Sequence, residues 1–159
     1  MSLFSVRGTV SGVGASTFNI FGGRFAFVEF QEESGRLVRV ENVSAFADVQ
    51  PAIEVGAEGE FFFDRILFSS INPTRQLYAA RAGGRSIYCD KSLRDNSIGC
   101  GIVFGLPLLL VFGLGLIPIS IAVCQVVKSL MMFGKRHKAF YGNDPALASQ
   151  LKRQEAVRM

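Results

Sequence analysis

Arg24-Phe25-Ala26-Phe27-Val28-Glu29-Phe30-Gln31, then Glu32-Glu33-Ser34-Gly35, then Arg36-Leu37-Val38-Arg39-Val40-Glu41-Asn42-Val43: this stretch decides the fold. Both flanking runs are rich in aromatic and β-branched residues, which suit a pleated, half-buried surface better than a helix. In the first run Phe25 and Phe27 alternate with Ala26, Val28 and Phe30, so both faces are apolar and the segment is predicted to be a central strand. Between the runs, Gly35 can supply the positive φ that a short loop requires. The two runs are therefore predicted to be antiparallel neighbours.

Outward from this hairpin the same grammar continues. Short apolar runs separated by glycine and charged turns fill residues 4–90, and none sustains a helical period. Strands are predicted at 4–12, at 17–21 running on through 24–31, at 36–43, at 57–68, and at 75–89 with a break at Gly83-Gly84. Residues 44–54 read as a short helix or irregular connection. Phe61-Phe62-Phe63 would present rings to both faces of its strand, so one face must meet something besides solvent. The element order resembles a small five-stranded Greek-key barrel of the oligonucleotide/oligosaccharide-binding (OB) type. An SH3-like barrel gives nearly the same string.

Beyond the β-rich part lies a different kind of sequence. From Asn96 to Val127 there are 32 residues without one charge, and Ile98–Val127 is almost entirely apolar. About 18 such residues suffice to nominate a membrane helix. Thirty would extend about 45 Å against a hydrocarbon thickness of ~30 Å, so a single pass must tilt or kink. A re-entrant hairpin turning near Gly113, Gly115 and Pro118 is the alternative. Pro107 and Pro118 predict a kink within 107–118 in either case. Gly101 and Gly105 have the small-xxx-small spacing that lets helices approach closely, and Gly113 and Gly115 are further candidates for membrane-helix packing.

The resulting division is a β-barrel-like domain at 1–94, a membrane segment at 95–133, and a basic tail at 134–159 with a short helix from about 145. Asp144 reads as the N-cap of that helix and Pro145 as its first residue. Lys128, Lys135, Arg136 and Lys138 stand where lipid headgroups would be met, each basic residue contributing about 1 kcal/mol near an anionic surface. Residues 1–98 hold ten Lys or Arg against eleven Asp or Glu, a net of −1, while 128–159 hold seven against two, a net of +5. Four basic residues on each side of the apolar run give no orientation by charge. The opening residues show no basic-then-apolar signal, which places the N-terminal domain in the cytoplasm.

Catalytic chemistry has little to stand on. His137 is the one histidine and lies in the basic cluster, remote in sequence from Cys89 and the carboxylates of the β-rich part. No Cys-His or Ser-His-Asp set has its base there, no metal ligand set is legible, and no phosphate-binding glycine motif is complete. Neither catalytic residues, a metal nor a cofactor is therefore expected. Cys89, Cys100 and Cys124 are an odd number with no C-x-x-C pair, which argues against a disulfide framework.

The sequence thus points to a membrane-anchored binding or adaptor module that recruits a macromolecular partner. Arg39, Phe62, Arg65, Arg75, Tyr78 and Tyr88 are its candidate partner-binding residues. A protein partner or self-association is favoured over nucleic acid, because a net charge of −1 lacks the positive field that phosphate binding requires. The alternative is a membrane-active oligomer, a small pore-forming effector or toxin regulated by the β domain.

Overall fold

The computed structural model describes residues 3–66, 73–93, 98, 102–103, 107 and 116–142. Two compact units emerge: Met1–Asp90 together with Phe140–Met159, and Lys91–Ala139.

The first unit is a closed five-stranded barrel with two short accessory strands. Its strands are β1 (Leu3–Val13), β2 (Ser16–Asn19), β3 (Gly22–Gln31), β4 (Leu37–Phe46), β5 (Glu58–Ile66), β6 (Thr74–Ala82) and β7 (Arg85–Tyr88). The barrel runs β1-β5-β6-β4-β3 and closes through a β1–β3 pairing. Every ladder is antiparallel except β4–β6, where Val43, Ser44 and Ala45 pair in parallel with Arg75, Gln76 and Leu77. Closure is possible because β1 serves two neighbours. Leu3–Thr9 pair with β5, Thr9–Val13 pair with β3, and a register shift between Val10 and Gly12 bends the strand from one to the other.

Phenylalanines and branched residues fill the interior. Phe30 lies 4.9 Å from Phe61, and Phe4 stacks on Phe63 at 5.2 Å. Val10, Val28, Val43 and Leu77 are fully buried around them. Val49, Ala52 and Ile53, which flank or form the 3-10 turn Gln50–Ala52, join the same core cluster. Burying each such ring stabilises the fold by about 1.5–3 kcal/mol. The β5–β6 ladder also depends on a close approach, because a Cβ on Gly59 would sit 2.0 Å from the Arg81 carbonyl oxygen.

The predicted hairpin turn at 32–35 and its antiparallel register are observed, with Gln31 opposite Leu37. The break at Gly83-Gly84 is the β6–β7 turn. One strand assignment is corrected: 17–21 does not run on into 24–31. The Asn19 side chain accepts the amides of Phe21 and Gly22 at 2.9 and 3.1 Å, so the chain reverses and makes the hairpin β2–β3. The 44–54 connection begins later than expected, since β4 continues to Phe46 and only the 3-10 turn follows.

In the second unit, the helix α1 (Leu116–Tyr141) continues unbroken from Pro118 across the expected boundary at 133/134. Its last two residues belong to the first unit. It ends at Gly142, whose φ of +74° is the left-handed cap common after helices. Among the described residues, no helix is long and apolar enough to cross a membrane. Most of 98–115, including Gly101, Gly105, Gly113, Gly115 and most of the expected kink region, lies outside the described residues, as does the helix expected from about 145.

Candidate functional site

The outer face of β3–β4 owes its composition to a break in alternation. Phe25 and Val28 both face the core, so the two residues between them, Ala26 and Phe27, are turned out together. The matching irregularity on β4 is at Asn42, whose φ of 50° is a left-handed value that asparagine tolerates better than most residues. Phe27 is thereby lifted onto the surface. The Arg39 guanidinium lies 3.7 Å above its ring, with Glu29 at 3.5 Å and Glu41 at 3.9 Å. The result is an aromatic and arginine platform on which one guanidinium faces two carboxylates, so these three groups sum to −1.

At one end of this face stands the β2–β3 hairpin. Phe18, Ile20 and Phe21 are 59, 87 and 69 % exposed at its tip. A strand predicted to run through 17–21 into 24–31 gives these residues no surface role. The Asn19 to Gly22-Gly23 spacing is the signal that identifies the turn.

Three of the six candidate partner-binding residues lie on a different face, and the chain itself covers them. Phe62, Tyr78 and Tyr88 cluster with Phe140 and Tyr141 from the end of α1, with Phe140 centred 5.4 Å from both Phe62 and Tyr88. Arg81 closes the arrangement. Its guanidinium donates to the Phe140 carbonyl, lies 4.9 Å from the Phe140 ring, and pairs with Glu60 at 3.8 Å. Tyr78 reaches this outer cluster beside Ala79 because of a register shift opposite Phe62/Phe63. Arg75 donates to the Glu41 carbonyl, and Arg65 is exposed directly opposite it on β5. The six residues therefore divide among three places, and only Arg39 belongs to the platform.

A cleft of about 820 Å³ opens where the β3–β4 turn meets the starts of β5 and the β6–β7 turn. Glycines and glutamates line much of it, and its arginines are engaged, Arg7 with Glu33 at 3.4 Å and Arg81 with Glu60. No group of three or more His, Cys, Asp or Glu able to hold a metal occurs among the described residues.

In the second unit α1 is inverted relative to a helix of a water-soluble protein. Ala122, Gln125, Met132 and Arg136 recur at helical spacing on the buried side. Leu116, Ile121, Val123, Val126, Val127, Leu130, Met131 and Phe133 are 39–73 % exposed. Arg136 is 4 % exposed and approaches the Ser92 hydroxyl at 3.5 Å, so its expected headgroup role is corrected to an inward one. Lys135 and Lys138 are exposed on the helix and Lys128 is half-buried. A scan against protein-family models finds no match to the chain, and comparisons with curated proteins and with solved structures find none either.

Proposed function

We propose that this chain is a membrane-attached, non-enzymatic binding module whose barrel recruits a protein partner to the bilayer. The observation that carries the reading is the inverted polarity of α1. A helix that buries glutamine and arginine while exposing eight large apolar side chains is matched to lipid rather than to water. The uncharged run from Asn96 to Val127 supports the same attachment.

The barrel is assigned to the OB type because its parallel β4–β6 pairing and the dual role of β1 fit that connectivity. In OB barrels the face of the second and third strands and the first loop are the binding surface. Here the strand face corresponds to β3–β4, with Phe27 and Arg39. A protein partner is favoured over nucleic acid because Arg39 is already neutralised by Glu29 and Glu41.

Carbonate extraction of membranes tests the attachment. The unmodified chain stays in the pellet, Leu110→Asp is released, and Leu130→Asp is retained, since an aspartate costs on the order of 2.5–3.5 kcal/mol at a membrane-helix centre and less near the interface. Equal release or equal retention of both variants refutes the membrane placement. Recruitment is tested by cross-linking in intact cells. The double variant Phe27→Ala, Arg39→Ala loses a nuclease-resistant adduct that the parent chain forms. Dye leakage from liposomes would instead identify the alternative, a membrane-active oligomer.

A further inference from the structure

The β2–β3 hairpin has a surface that neither the barrel core nor the platform explains. Its turn is rigid. Asn19 Oδ1 holds two amides, the Phe21 carbonyl accepts the Ala47 amide at 3.0 Å, and a Cβ on Gly22 would lie 2.1 Å from the Ala45 carbonyl oxygen. The hairpin base is therefore fixed against the end of β4. Phe18 meets Phe25 edge-on at 5.7 Å but remains 59 % exposed, and Ile20 and Phe21 are more exposed still.

From Gly12 to Val28 there is no carboxylate, and the one charged residue is Arg24, which is exposed. The tip is small and convex. Three side chains present on the order of a few hundred Å² of apolar surface. A stable protein interface needs about 800 Å² per partner, so the tip alone is too small to hold one. Shallow entry into the interfacial region of a bilayer has no such threshold when a second element already holds the chain there. The hairpin tip itself adds no carboxylate to repel an anionic headgroup layer, and the exposed Asp48 beside Ala47 at the hairpin base accepts from the Cys89 thiol at 3.8 Å.

We infer that the tip Phe18, Ile20 and Phe21 is a lipid-inserting wedge, a second membrane contact that fixes how the barrel stands on the bilayer. This inference rests on the membrane attachment proposed above. It makes the barrel's orientation, and hence the presentation of the Phe27–Arg39 platform, a property of the protein and not of a loose tether.

The chain contains no tryptophan, which gives a clean probe. Phe21→Trp and, separately, Leu37→Trp are introduced into the full chain and reconstituted into vesicles of phosphatidylcholine and phosphatidylglycerol. Leu37 is 64 % exposed and lies at the opposite end of the β3–β4 ladder from Gly22. Flotation first establishes that the protein is on the vesicles. With lipids brominated near the top of the acyl chains, F21W loses about half its emission and shifts to the blue, as a side chain some 5–10 Å into the interface should. L37W keeps its emission. Vesicles that float the protein without quenching F21W overturn the wedge and leave the attachment standing. Equal quenching of F21W and L37W overturns it as well. A signal that follows the protein-to-lipid ratio and ignores bromination assigns the tip to a second copy, which also overturns it. Failure to float at all removes both the attachment and the wedge.

Discussion

Phe140→Ala should release the end of α1 from the barrel while leaving the barrel itself intact. Phe140 is fully buried, and its ring contacts Phe62, Tyr88 and Tyr141 with centroids 5.4, 5.4 and 4.8 Å away. Truncating a buried phenylalanine to alanine costs about 3–5 kcal/mol when the cavity cannot collapse. The Arg81 bond to the Phe140 carbonyl survives the substitution because it uses backbone, so the ring carries the loss. At 1.4 kcal/mol per tenfold, the docking equilibrium weakens between about a hundredfold and a few thousandfold. None of the affected contacts belongs to the core cluster of Phe30, Phe61 and Phe63. Hydrogen exchange on the full chain in detergent separates the two. Amides of residues 140–142 and of β7, and the Cys89 amide that bonds the Tyr78 carbonyl at 2.8 Å, exchange faster by that factor. Amides of β1, β3 and β5 keep their protection. Acceleration spread evenly over all strands would refute the reasoning by making Phe140 part of the barrel's own cooperative unit, and no acceleration anywhere would mean the ring does not hold the segment down.

Two further outcomes follow from backbone and polar accounting. Gly59→Ala places a methyl group 2.0 Å from the Arg81 carbonyl oxygen and forces β5 from β6, so denaturant unfolding of the barrel should show a loss of about 1–3 kcal/mol; unchanged stability would contradict the close approach. Gln125→Leu removes a 1 % exposed amide whose Oε1 finds no partner among the described residues, so thermal unfolding in detergent should shift upward by the equivalent of about 1–3 kcal/mol, and a downward shift would reveal an acceptor role for that oxygen in an assembly.

The barrel was legible because its signals are local. Gly35 between two apolar runs dictates a turn, and Phe61-Phe62-Phe63 dictates a strand with an occupied outer face. Phe61 and Phe63 fill the interior, and Phe62 meets Phe140 outside. What local reading could not supply was parity. Phe25 and Phe27 share a face on any regular strand, and only the left-handed Asn42 beside the break sends Phe27 outward to meet Arg39. The aromatic cluster around Tyr78 and Tyr88 was legible as residue type and illegible as role, because the residues that cover it lie more than fifty positions away in sequence. Arg136 illustrates the same limit. Composition makes it one of four equivalent basic residues, whereas helical spacing from Ala122, Gln125 and Met132 turns it inward.

The covering of Phe62, Tyr78 and Tyr88 changes where recognition can occur. An aromatic face packed against Phe140 and Tyr141 cannot meet a partner unless those two leave, and leaving exposes five large rings to water. Each buried ring is worth about 1.5–3 kcal/mol relative to exposure, so an incoming partner would have to replace nearly all of that contact before gaining anything. The β3–β4 platform carries no such debt. Phe27 is already half-exposed, Arg39 is already ordered by stacking and two carboxylates, and nothing must be displaced to reach them. A preordered arginine on an aromatic ring also loses little side-chain entropy on binding. For the proposed recruitment the platform side of the barrel is the accessible one, whereas the Phe62 side is occupied by Phe140 and Tyr141.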